Sequence, residues 1–150
     1  ATELVPKNTS YRAGIWLTDS VKVAASFGTE IYRVEVAGLN NPLVVDAQGE
    51  FYSEIPTPQI LKDDSFTFRE TCDSDLIVKY ALERGYDSVI IQNVTEGFSG
   101  GGVGLSHQTG TDYVLLKPGQ GRIVSSFDYK STLDKWGMPK GSKLISLEDK

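Results

Sequence analysis

The chain is poor in the residues from which metal sites and disulfides are built: 150 residues hold one cysteine, Cys72, and one histidine, His107. A single thiol excludes an intramolecular disulfide, and one thiol with one imidazole argues against a dedicated zinc site. No apolar run approaches the roughly 18 residues needed to cross a bilayer, and the N-terminus has no signal-like apolar core. A soluble protein is expected, with the compartment unspecified; the start at Ala1 suits a mature or excised piece. Positive charge is also short. Fifteen basic against twenty acidic residues give a formal net charge of -5, which works against nonspecific attraction to nucleic acid or anionic lipid. The lone histidine lies in a glycine-rich stretch with no nucleophile-elbow sequence nearby, so Ser-His-Asp and Cys-His triads are set aside. "GFSGGGVG" lacks the lysine and hydroxyl residue of a P-loop and the spacing of a dinucleotide fingerprint, and reads as a loop.

What remains has the size and balance of one globular domain, with 39% hydrophobic and 23% charged residues. Residues 1–13 are polar, hold Pro6 and lack a period, and are expected to form an irregular arm ahead of a domain spanning 14–150. In "GIWLTDSVKVAASFG", Gly14 to Leu17 reads as a short buried strand. Asp19 is then a plausible N-cap for a helix that presents Val21, Ala24 and Ala25 and stops at Gly28. Glu30 to Val36 alternates as a strand whose phase is blurred at Tyr32, and Leu43 to Val45 forms a brief second one. Residues 46–70, punctuated by Gly49, Pro56 and Pro58, suggest an irregular connection or insertion. The clearest helix starts at Asp73 or Ser74, repeats Leu76, Ile77, Tyr80 and Ala81, and ends at Arg84-Gly85. "YDSVIIQNV", "DYVLLKPG" and "GRIVSSFDY" read as further strands, with a weak one at Lys143 to Leu147. Strands outnumber helices without the regular interleaving of a doubly wound sheet, so the expected class is α+β.

One acidic residue has a position that suits chemistry. Asp112 stands where a long glycine-rich loop meets the apolar run Tyr113 to Leu116, so its carboxyl is either held at a pocket edge or faces water at a strand start.

Four segments in order resemble the ADP-ribosyltransferase superfamily, in its poly(ADP-ribose) polymerase and diphtheria-toxin-like branch. "GIWLTDSVKVAASFG" is similar to that branch's Gly-Ile-Tyr-Phe segment and following helix, and "IYRVEVAGLNNPLVVDA" to the strand and turn after it. "RGYDSVIIQNV" resembles the Gly-Tyr-Asp-Gly-Val-Ile pattern of phage and bacterial members, and "TDYVLLKPGQGRI" the last motif, Glu-Tyr-Ile-Val-Tyr followed by Gln. Together they cover roughly residues 14 to 127. The resemblance implies two small antiparallel sheets packed around an NAD cleft with a few flanking helices. It implies mono-ADP-ribosyl transfer from NAD, as substrate, to a macromolecular acceptor, protein in preference to nucleic acid, with release of nicotinamide.

Carried over by position, Asp112 falls on the catalytic glutamate. Gly14, Trp16, Thr18 and Phe27 fall on the nicotinamide side, with both aromatics equally suited to an ordinary core. The loop from Thr95 to Thr111 corresponds to the acceptor-selecting loop and gives Phe98 and His107 a recognition role. The family's first motif, a histidine or arginine on an earlier strand, has no histidine before Gly14 to carry it, and Arg12 is too near Thr18 to sit on a separate strand. The alternative in a different class is a catalytically silent module of the same fold, binding or structural, as in a phage particle or a larger polypeptide.

Overall fold

A computed structural model describes residues 2–8, 13–27, 30–96, 108–128 and 144–146. In chain order these form β1 (Thr2–Glu3), β2 (Ile15–Thr18), α1 (Val21–Ala25), β3 (Glu30–Val36), β4 (Pro42–Asp46), β5 (Ile55–Pro56), α2 (Gln59–Asp63), β6 (Thr71–Cys72), α3 (Ser74–Glu83), β7 (Ser88–Glu96), β8 (Gln108–Leu115), β9 (Gly121–Asp128) and β10 (Leu144–Ser146). The class is α+β, as the sequence suggests.

The strands arrange as β1-β9-β3-β10-β2-β8-β7-β4, with β5 and β6 pairing separately. All neighbours run antiparallel except β4 and β7, which are parallel across a connection that contains α3. The expected pair of separate small sheets is therefore joined into one. Among the described residues, a three-stranded half, β1-β9-β3, and a four-stranded half, β2-β8-β7-β4, are hydrogen-bonded to each other through β10, which pairs with β3 on one side and β2 on the other. The weak strand expected at Lys143 to Leu147 is present as β10, but its bridging of the two halves is not visible in the sequence.

Each face of the four-stranded half has its own apolar layer. Alternation puts Trp16, Val114, Val89, Ile91, Leu43 and Val45 on one side, where α3 covers them with Ile77, Val78, Tyr80 and Ala81 and α2 adds Leu61. Leu17 and Leu115 face the other way, against Val34 of β3. Each fully buried large apolar side chain in these layers contributes about 1.5–3 kcal/mol. Strand β3 is buried first under α1, through Ile31 against Ala24 and Ala25, and then on its opposite face through Val34. That double burial is why its alternation looked imperfect.

The helix expected from Asp73 is present and closed at both ends. The Asp73 carboxylate accepts from the Leu76 N–H at 2.8 Å. At the other end Gly85 takes φ 82°, which lets the Tyr86 N–H reach the Ala81 carbonyl at 3.0 Å and the Gly85 N–H the Leu82 carbonyl at 3.3 Å. The segment expected to be irregular, 46–70, holds β5 and α2. The last turn of α2 is tied to α3, since the Tyr80 hydroxyl donates to the Asp64 carboxylate and the Arg84 Nε lies 3.3 Å from it. The guanidinium also stacks over Phe66 and Tyr80, 5.5 and 5.0 Å from their ring centroids.

Two residues of the resembling motifs turn out to fix turns. Asp87 accepts from the Asn40 and Asn41 N–H groups, both at 2.9 Å, and so orients the approach to β4. Gln120, 5% exposed, accepts from the Leu116 and Lys117 N–H groups at 3.1 and 2.9 Å and donates to the Asp87 carbonyl at 2.9 Å. Residues ahead of Gly14 are only partly irregular: β1 adds an edge strand to β9, and Asn8 bridges the Gly14 N–H and the Leu116 carbonyl.

Candidate functional site: a buried carboxyl pair

The strands β2 and β8 run side by side with Thr18 opposite Asp112, Leu17 opposite Tyr113 and Trp16 opposite Val114. Side chains of successive strand residues point to opposite faces, so Trp16, Thr18, Asp112 and Val114 share one face. Two segments singled out independently in the sequence are thus adjacent and in register.

Of the two settings open to Asp112, water is not the one found. The residue is 1% exposed, on the α3-covered face, and Ile91 of β7 lies opposite it on its other side. Neither carboxyl oxygen receives a well-formed hydrogen bond from a donor. The Thr18 hydroxyl, itself buried, lies near enough to favour the charged form. Burial works the other way and dominates. Together with contact to the Glu96 carboxyl and the charges of Glu96 and Asp19, it holds the Asp112 carboxyl well above the usual aspartate range.

Glu96 reaches this site because β7 is bulged. Ile91 pairs with Asp112, but the next matched pair is Val94 with Gly110, so Gln92 and Asn93 together oppose Thr111. Asn93 takes φ 56°, a left-handed conformation that asparagine tolerates and that suits the extra residue. The insertion reverses the parity of the strand, so Val94 and Glu96 face the same side as Ile91 and Asp112. Glu96 is 6% exposed.

Gly110 completes the arrangement by absence. A Cβ there would lie 2.9 Å from Asp19 Oδ1 and 3.2 Å from Ser20 Cβ. Without it the β2 end closes on β8, the Thr111 N–H donates to Asp19 Oδ1 at 2.9 Å, and the Asp19 N–H donates to the Thr111 carbonyl at 3.1 Å. Asp19 is therefore a cross-strand clamp and not the expected N-cap. Ser20 caps α1, accepting from the Val23 N–H at 3.2 Å.

The other expected site residues are placed as follows. Trp16 is 8% exposed in the α3-covered core, its indole N–H donating to the Ala13 carbonyl at 2.9 Å. Phe27 is half-buried and packs against the same core. Gly14, at φ 82°, has no room for a side chain, since a Cβ would come within 2.5 Å of Val114 Cγ1; its role in the fold is close packing at the start of β2. Phe98 and His107 lie outside the described residues, as does Gly28. Glu96 was not singled out from the sequence. The Val94-Thr95-Glu96 alternation was there to be read, but its facing depends on a bulge that only the asparagine hints at.

Among the described residues, no three His, Cys, Asp or Glu side chains are arranged to hold a metal ion, and no helix is long and apolar enough to cross a membrane. Comparisons with protein-family models, with curated proteins and with solved structures returned no match. The functional reading rests on the site itself.

Proposed function

We propose that the chain is an ADP-ribosyltransferase-like domain that takes NAD as substrate, releases nicotinamide and passes ADP-ribose to a macromolecular acceptor. The observation that carries this reading is the register of β2 and β8, which sets the Thr18 hydroxyl opposite a buried Asp112 carboxyl. Trp16 shares that strand face, and Phe27 packs against the same apolar layer.

The chemistry suits such a position. The bond between ribose and nicotinamide breaks with its electron pair leaving on the nicotinamide nitrogen, which becomes neutral, while positive charge develops on the ribose. A fixed negative charge in a water-poor site stabilises that charge, as in glycoside cleavage. The acceptor's nucleophilic atom then bonds to the ribose carbon, and its proton passes to a carboxylate.

The test is nicotinamide release from NAD, with and without candidate acceptor proteins, by the wild-type chain and Asp112→Ala. Release that disappears in the variant is expected; release that persists at the same rate would overturn the assignment of Asp112. A second reading is favoured by the burial of Asp112 and Trp16, which leaves little of either open to a ligand: a catalytically silent module of the same fold. Absence of both NAD binding and nicotinamide release in the wild-type chain would select it.

A further inference from the structure

The carboxyl of Asp112 has a neighbour that nothing in the sequence assigns. Two features bring Glu96 to the Asp112 face: the extra residue at Gln92-Asn93 and the left-handed turn at Asn93. Both acids are almost fully removed from water, at 6% and 1% exposure. Two ionised carboxylates in contact in such a place repel strongly, and neither can donate a hydrogen bond to the other. A single proton between them removes both difficulties. It also accounts for an Asp112 carboxyl that is in contact with Glu96 while neither of its oxygens receives a well-formed hydrogen bond.

We infer that Glu96 is the positioning residue of the site: it and Asp112 form an acid–carboxylate pair that shares one proton and presents one negative charge. The groups facing the pair are Thr18 from β2, whose hydroxyl favours the charged form, and Asp19 beyond it, whose own carboxylate is held by the Thr111 N–H and adds a further negative charge. No cation is among the described groups that act on Asp112. A site built this way retains one charge for a cationic ribose and one vacant carboxylate position for a proton arriving from an acceptor. This inference rests on Asp112 as the centre of the proposed site, but its physical content is independent of NAD.

The experiment is a carboxyl-carbon NMR titration of the whole chain, labelled at aspartate and glutamate, for wild type, Glu96→Gln and Asp19→Asn. In the wild type the Asp112 and Glu96 resonances are expected to move together in two steps, as coupled sites do. In Glu96→Gln, Asp112 is expected to titrate in one step, displaced downward toward the ordinary aspartate range and further than in Asp19→Asn. Independent single-step curves in the wild type would overturn the pair, as would an Asp112 midpoint unmoved by Glu96→Gln. The wild-type curves decide the matter even where a variant does not fold. The titration needs no substrate, so a chain that shows coupled curves but no nicotinamide release would refute the proposed function and leave the pair standing.

Discussion

Asp64 and Asp112 are the same residue in opposite settings. Asp64 sits at the surface with the Tyr80 hydroxyl and the Arg84 guanidinium turned toward it, and the Tyr80 bond first among these holds its carboxyl below the usual range. Asp112 lies inside a sheet face with acids for neighbours and is pushed well above that range, chiefly by burial. The first arrangement satisfies a charge and joins α2 to α3. The second leaves the charged form poorly satisfied, which costs stability in the folded chain and is the setting that the proposed chemistry would use. What separates the two carboxyls is the supply of donors.

The largest test of that contrast is catalytic. Asp112→Asn should lower nicotinamide release on the order of a hundredfold or more, whereas Asp64→Asn should leave it unchanged. Equal losses would remove the distinction. Stability should move the opposite way at Asp112. Its folded-state pKa is raised, so the chain is least burdened by Asp112 below the unfolded value and is progressively destabilised as pH rises toward the folded one. Asp112→Asn should therefore gain about 1–3 kcal/mol, more near about pH 8 than near about pH 4, in denaturant melts at the two pH values. Asp64 has the reverse slope, its small contribution fading as pH falls through its depressed value.

Gly110→Ala sharpens the comparison from the side of space instead of charge. Its new methyl meets the Asp19 carboxylate and Ser20, so a loss of about 1 kcal/mol is expected, with faster amide exchange at Thr111 as the clamp loosens. The smallest effect is spectroscopic. Burial and the Asp64 contact push the Tyr80 hydroxyl up to about 12. Asp64→Asn should bring its ultraviolet titration down, read as the difference from Tyr80→Phe.

How much of this was legible in the sequence follows from whether a feature is local. The α3 helix could be placed at both ends because Asp73 and Gly85 act on backbone groups within a few residues of themselves. Strands β3, β4, β8 and β9 were readable from apolar runs and turn residues. The α1 cap was assigned one residue early because Asp19 is claimed by Thr111, 92 positions along the chain, and no local rule weighs such a contact. The bulge at Asn93 escaped for a similar reason: it is defined against a partner strand, and with it went the facing of Glu96. Asp112 was singled out as the first residue of a strand after a loop, but β8 begins four residues earlier at Gln108, and neither that extension nor its burial is visible in one dimension.

The three residues of β10 also set an order of events. Strands β2 and β3 follow each other closely in the chain, yet β10 separates and bridges them, so the two half-sheets are not stitched until residues 144–146 have been made. Until then the β2 edge at Thr18 is open on the β10 side, and closure waits on a pairing of very high sequence separation. Such pairings are slow to form, so among the described strands the β10 pairings are expected to close late.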